Sequence, residues 1–126
     1  MINTLDIGKY IYSTLNGSDA ITCKVYPLIA DNDAKYPFII YKRINLQSNG
    51  CKDGLIEDLV DIEITVVADK YSTSVELATQ IRNLLERQHA EYSDLNIDDA
   101  TITMANEEFS NNSFVQRMHF NFKITN

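Results

Sequence analysis

One nine-residue segment, Val60 to Ala68, constrains the fold more than any other part of the sequence. It reads Val-Asp-Ile-Glu-Ile-Thr-Val-Val-Ala, with apolar side chains at every second position from residue 60 to residue 66. A period of two is typical of a β-strand that buries one face and leaves the other in water, and it fits no helix. The segment therefore predicts a half-solvated sheet, for which the rest of the chain supplies neighbouring strands and a cover.

Length and composition predict one domain over residues 1–126. The chain is 44% hydrophobic, which is sufficient for a single packed core. Its 18 acidic residues outnumber its 11 basic ones, and a net charge of −7 argues against sequence-specific nucleic-acid binding. No apolar run approaches the ~20 residues of a membrane span, and no signal peptide is evident, so we expect no membrane association. Cys23 and Cys51 lack ligand or redox spacing and are predicted to be free thiols in a reducing cytoplasm.

The first part of the chain predicts a helix followed by two strands. Residues 3–16 have a mostly one-sided apolar stripe, and Asn3 or Thr4 is suited to cap the amino end. A short strand is predicted within residues 21–29, and a second begins at Phe38 and continues through Ile44.

Residues 46–57 form the longest predicted irregular connection. They contain Asn49-Gly50 and Asp53-Gly54, two strong turn dipeptides, and we interpret them as a hairpin arm. Two alternatives are open for this arm: it orders against a neighbouring subunit, or it is an ordinary mobile loop. If the arm is an interface, its predicted contact residues are Leu46, Asn49, Gly50, Lys52, Asp53, Gly54 and Leu55.

The second part predicts a helix, a loop and a closing strand pair. The sequence Thr73-Ser74-Val75-Glu76 has capping-box spacing and predicts a helix to about Gln88, with a loop over residues 89–99. Residues 100–109 and 112–125 then predict two antiparallel strands, the last with Phe120 facing inward and Val115 outward. Basic residues of this last strand are predicted to lie across from Asp61 and Glu63 if the two strands are neighbours. The predicted fold is α+β, in the order α-β-β-β-α-β-β, with an antiparallel or mixed sheet covered on one face by two helices.

No motif in the sequence predicts catalysis, a cofactor or a metal. His89 and His119 have no further ligands at short, defined spacing, as a zinc site requires. The acidic residues around Asn96 depart from a calcium-loop pattern, and Asp61 with Glu63 is typical of an exposed strand face. Glycine-rich phosphate loops and nucleophile elbows are also missing from the sequence. We therefore predict no catalytic, cofactor-binding or metal-binding residues.

A series of segments carries a family resemblance. In order, the chain contains Val25-Tyr26-Pro27-Leu28, the Tyr-Pro and apolar strand of residues 36–43, Lys52-Asp53-Gly54, the strand of residues 61–64, and Tyr71-Ser72 before a helix with Leu77, Ala78, Ile81, Arg82, Leu84 and Leu85. Over residues 5–88 this order resembles the tail-completion, or tail-to-head joining, proteins of long-tailed bacteriophages and prophages. One departure is Val66-Val67, where relatives often carry an aromatic residue or Cys.

The resemblance implies a structural subunit without catalysis. Such a protein forms a hexameric ring at the head-proximal end of the tail tube, where it stops tube growth and presents a surface to the head connector. The implied partners are further copies of the chain, the tail tube protein and the head connector protein. The implied location is the virion tail, after assembly in the bacterial host cytoplasm. The net negative charge is compatible with this role, because it keeps subunits apart before assembly and keeps transiting DNA from sticking.

Two alternatives belong to other classes of protein. The first is a small cytoplasmic α+β interaction module, or adaptor, that dimerises through its sheet edge, for which a stable two-fold dimer is expected. The second is an enzyme or ligand-binding domain, which needs a deep pocket between the helix at Leu77 and the sheet. Filling of that space by Leu77, Ile81, Phe120 and Phe122 would exclude such a pocket.

Overall fold

A computed structural model describes residues 4–50, 56–92 and 95–125. A 3-10 turn, Thr4–Asp6, leads into helix α1, and a second helix, α2, lies between the third and fourth of six strands. The bounds are α1 Ile7–Asn16, β1 Lys24–Pro27, β2 Phe38–Gly50, β3 Ile56–Ala68, α2 Tyr71–Leu85, β4 Ala90–Tyr92, β5 Leu95–Ser110 and β6 Ser113–Thr125.

The six strands form one curled, mixed sheet in the order β1-β2-β3-β6-β5-β4. Strand β1 runs parallel to β2, whereas the remaining neighbours are antiparallel. The α+β class and the mixed sheet agree with the sequence prediction. Strand β3, which contains the alternating segment, lies between β2 and β6 and is paired on both sides along nearly its whole length.

The core lies on the face of β3 that the alternation predicts. Val60, Ile62, Ile64 and Val66 are all buried there, together with Phe120, Phe122 and Ile124 of β6. Both helices contact this face: the ring centroid of Tyr10 in α1 lies 6.4 Å from that of Phe122, and Gln116 of β6 donates a hydrogen bond to Ser74 of α2. The cover is partial, because residues 103–110 of β5 are exposed.

The space between α2 and the sheet is filled. Leu77 and Ile81 of α2 are buried against the sheet, as are Phe120 and Phe122. The deep pocket that the enzyme alternative needs at this position is therefore occupied by side chains. Neither described α-helix is long and apolar enough to cross a membrane.

The predicted loop over residues 89–99 is wrong. This region contains β4 and the beginning of β5, which pair through Ala90 with Ile97 and through Tyr92 with Leu95. Leu95 and Ile97 are buried at a period of two, so apolar burial decides the local structure despite the polar residues around them. The element order accordingly gains one strand.

The predicted caps are also wrong. Helix α2 begins at Tyr71, two residues before the predicted capping box, and the Ser74 hydroxyl donates a hydrogen bond to the Tyr71 carbonyl. Thr4 does not cap α1, because its hydroxyl donates to the carboxylate of Asp58, and Asn3, the other predicted cap, lies outside the described residues. Val115, predicted to face outward into water, is buried: it pairs with Val67, which in turn pairs with Phe38, so this end of the outer face is apolar.

Candidate functional site

The arm predicted from the sequence is a regular part of the sheet wherever the structure describes it. Strands β2 and β3 are paired without interruption from Leu46 and Val60 to Gly50 and Ile56. The prediction of an irregular connection is therefore wrong for these residues, and Asn49-Gly50 lies in a strand rather than in a turn. Each additional ladder pair satisfies backbone groups, which favours extending the strands beyond the predicted limits.

The seven predicted contact residues fall into three groups. Leu46 is half-buried and packs against the core, so it anchors the arm. Asn49 and Gly50 are exposed near the end of β2. Lys52, Asp53, Gly54 and Leu55 lie outside the described residues.

The arm is not a free two-stranded hairpin. On its β3 side it continues into β6, where Glu57 pairs with Thr125. On its β2 side, β1 pairs only with residues 38–41, so Lys42–Gly50 has no further strand beside it among the described residues. The arm therefore presents one free strand edge, the kind of edge that can pair with another chain.

The 3-10 turn fastens both strands of the arm at its base. The Thr4 hydroxyl donates to Oδ2 of Asp58 on β3, at 2.5 Å, and Nη1 of Arg43 on β2 donates to the carbonyl of Leu5, at 3.3 Å. Asp58 is only 6% exposed, and its Oδ1 has no hydrogen-bond partner within the described part of the chain. One sequence feature could have indicated this contact: Asp58 lies two residues before Val60, so on a strand both side chains point toward the core.

The outer face of the sheet carries a ladder of polar pairs. Nε2 of His119 lies 3.0 Å from Oε2 of Glu63, and Nδ2 of Asn121 donates to Asp61 at 2.8 Å. Nζ of Lys123 lies 3.5 Å from Oε2 of Glu57. The two strands are neighbours, as predicted, but of the basic residues of β6 only His119 lies across from Glu63, since Asp61 faces Asn121 and Arg117 pairs with Glu108 of β5. Such half-exposed pairs contribute modestly to stability, about 0–1 kcal/mol each. No group of three or more potential metal ligands occurs in the described ranges.

A cleft of about 270 Å³ lies beside the exposed second half of β5, residues 103–110. The Glu107 carboxylate is held at its edge by two neutral donors, the Tyr71 hydroxyl at 3.0 Å and Nε2 of Gln116 at 2.9 Å. Glu107 raises the pKa of Tyr71, first through this hydrogen bond and then through its charge. The rings of Phe109 and Phe114, with centroids 4.9 Å apart, complete the lining. Sequence analysis missed this cleft, because residue 71 and residue 107 are far apart in the chain.

A larger cavity, of about 550 Å³, lies at the opposite edge of the sheet beside β1. Lys24 and Lys35 line it, as do Asp31 and Asp33. Cys23 is also part of its lining, and burial raises the pKa of this thiol, which favours the unreactive protonated form. Cys23 is free, as predicted, and Cys51 lies outside the described residues.

Comparison with known proteins finds one family model and similar solved structures. The family model described as "Tail completion protein gp17" matches residues 9–125. A chain from a virion of a native gene transfer agent particle has a TM-score of 0.79 at 13% identity, over 92% of each chain. A second solved chain has a TM-score of 0.61 at 7% identity, over 96% of this chain and 92% of the other. No curated protein sequence matches significantly. At these identities the structural matches show a shared fold.

We predict that Thr4→Val destabilises the protein by about 1–3 kcal/mol, because it removes the donor to a buried carboxylate while keeping the shape of the side chain. Thr79→Val is the matched control, since Thr79 is exposed and bonds only to the carbonyl of Val75. Urea denaturation followed by circular dichroism measures both variants. Equal stabilities of the two variants would show that the contact between Thr4 and Asp58 contributes nothing.

Proposed function

The chain belongs to the family of tail completion proteins described as gp17, and from that premise we propose that it caps the phage or prophage tail tube as a ring-forming subunit and joins the tube to the head connector. In this proposal it acts without catalysis, in the virion tail, after assembly in the host cytoplasm. Its partners are other copies of the chain, the tail tube protein and the head connector protein.

The observation that carries the proposal is the extent of the family match. Residues 9–125 include almost all of α1, both central strands of the sheet and the closing pair β5–β6. The match therefore covers all six strands, α2 and most of α1 rather than one common motif. The fold shared with a chain of a gene transfer agent virion supports a role in a particle as well.

The described edges of the sheet support assembly into a ring. Strands β1 and β4 are short, with 4 and 3 residues, and leave most of β2 and β5 without a neighbour on one side. The two edges differ in sequence, so a contact between them is heterologous, and a heterologous contact closes into a ring when its rotation allows. The expectation of six subunits in the ring comes from the resemblance to tail-completion proteins.

We further propose that the arm is one of the assembly contacts, through Leu46, Asn49 and Gly50 and the segment of residues 52–55. Among the described residues its β2 edge has no neighbouring strand, and the 3-10 turn and β6 hold its base in place. A contact surface that is held in place before assembly loses less conformational entropy on binding.

Removal of the gene from the parent phage is the direct test of the proposed function. We expect electron microscopy of the lysate to show heads separated from tails, or tails of uncontrolled length, because capping and joining are both lost. Supplying the wild-type chain from a plasmid should restore joined, infectious particles. Normal joined particles without the gene would contradict the proposal.

A shortened arm tests the contact itself. Because Asn49 pairs with Glu57, replacing residues 50–56 with the two-residue turn Asn-Gly keeps the register of the remaining ladder. We expect at least about a tenfold lower yield of infectious particles, since truncation of central contact residues typically has effects of this order.

The control for the arm variant keeps the length of the arm and changes Lys52, Asp53 and Leu55 to Ser. Comparison of the two variants separates the contribution of the side chains from that of the backbone. Thermal denaturation verifies that both variants fold. A shortened arm that folds and restores full infectivity would contradict the role of the arm.

A further inference from the structure

Exposed apolar side chains are concentrated at opposite edges of the sheet. Beside β1 and β2, Leu28 and Ile29 are 71% and 77% exposed; on β5, Met104 and Phe109 are 47% and 62% exposed. Exposed apolar groups that cluster in this way, rather than occurring singly, are typical of interaction surfaces. Two separate surfaces of this kind on one chain suit a subunit that contacts a neighbour on each side.

The two edges also differ in charge. Five basic side chains of the described residues form no ion pair: Lys24, Lys35, Lys42, Arg43 and Lys70. The first four lie at the β1–β2 end of the sheet, and all four are exposed. We define the basic edge as Lys24, Leu28, Ile29, Lys35, Lys42 and Arg43.

The opposite edge holds a carboxylate whose charge is not cancelled. Glu107 accepts hydrogen bonds from the Tyr71 hydroxyl and the Gln116 amide, which are neutral, whereas the neighbouring Glu108 is paired with Arg117. We define the acidic edge as Tyr71, Met104, Glu107, Phe109 and Phe114. A carboxylate fixed beside aromatic rings is a favourable site for an ammonium or guanidinium group, which gains both ion-pair and cation–π contacts.

We propose that the acidic edge of one copy binds the basic edge of a second copy, with Lys24 of the second copy entering the cleft beside Glu107 and Phe109. This proposal rests on the ring proposed above and names its contact. Lys24 begins β1, the outermost strand of its edge, and has no ion-pair partner within the described part of the chain although Asp31 and Asp33 line the same cavity. Exposed apolar residues on both edges, among them Leu28 and Phe109, add area to the contact.

The complementarity favours a second copy over another partner. Each copy carries one edge of each kind, so the same contact repeats from subunit to subunit and uses every edge once. Opposite charges at the contact also fix its polarity, because two acidic edges or two basic edges repel each other. A head-to-tail contact of this kind closes into a ring when the rotation between neighbouring copies allows it.

Photocrosslinking in particles tests the contact. Benzoylphenylalanine replaces Phe109 in the full chain, which is supplied to cells infected with the phage that lacks the gene, and purified joined particles are irradiated. We expect a covalent dimer whose crosslinked peptide lies within residues 22–43 of the second copy. The same group at Tyr12, an exposed aromatic position of α1 that belongs to neither edge, is the control. Because Tyr12 lies beside Tyr41 of its own chain, only covalent dimers are analysed, and none crosslinked to residues 22–43 of a second copy is expected.

Charge exchange tests the role of Glu107 and Lys24. Glu107→Lys or Lys24→Glu should each lower the yield of this dimer at least about tenfold, and the double variant should recover much of it, as coupled charge pairs do. Glu107→Gln keeps an acceptor for the Tyr71 hydroxyl and should weaken the contact without loss of folding. Glu76→Lys, the same charge change on the exposed surface of α2, should have no effect.

The outcomes separate the contact from the proposed function. One contrary result is that, in joined particles, benzoylphenylalanine at position 109 crosslinks only to another protein or to a different region of a second copy. That result would overturn the contact and leave the proposed function standing. Unchanged dimer yields in the single variants, or no recovery in the double variant, would overturn it as well. Normal joining in the absence of the gene would overturn both.

Discussion

The pairing of β3 on both sides is the constraint on which the rest of the structure depends. One face of this strand is buried under the helices, and its backbone is hydrogen-bonded to β2 and β6 from Ile56 to Ala68. If β2 or β6 slipped by one residue along β3, the buried side chains of the slipped strand would face water. The register of both pairings is therefore strongly specified. This register aligns β2 and β6 with each other and brings the arm, the outer polar ladder and the core into fixed relative positions.

The same arrangement leaves the edges of the sheet available. Long strands in the centre are flanked by short ones, and the short strands protect only part of each edge. Proteins that act as monomers usually protect such edges with charges, bulges or covering segments. Here the Glu86 side chain accepts a hydrogen bond from the amide of Ile102, and the backbone amide of Arg87 donates to the carbonyl of Ala100. The two residues that follow α2 thus cover this part of β5, and no described strand pairs with β5 beyond it on that side. Selective protection of this kind is compatible with the proposed assembly.

The sequence predicts the elements that have uninterrupted periodicity. The alternation from Val60 to Val66, the two helices and the facing of Phe120 follow from local pattern and are confirmed. The beginning of β5 was less predictable, because register shifts between Ile97 and Asp99 and between Ile102 and Met104 interrupt the period of two. The predicted cap at Thr4 was wrong because its hydroxyl donates to a buried carboxylate 54 residues away. The predicted cap at Thr73 was wrong because α2 begins two residues earlier, at Tyr71.

The candidate surfaces, too, could be predicted from the sequence only in part. Turn dipeptides at Asn49-Gly50 predicted an arm at the right place but with the wrong local structure, because ladder pairing with β3 outweighs local turn preference. The cleft at Glu107 depends on contacts between α2, β5 and β6, and no local pattern reveals it. Family resemblance supplied the functional hypothesis, and the fold supplied the surfaces on which it can be tested.

The proposed function requires a ring of this chain between the tail tube and the head connector. Cryo-electron microscopy of the head–tail junction in the parent particle tests it most directly. We expect a ring of density there in which each subunit fits two helices on a six-stranded mixed sheet, with β5 of one copy next to β1 of the next. Density for this fold only at the distal tip of the tail, or its absence from the particle, would contradict the account.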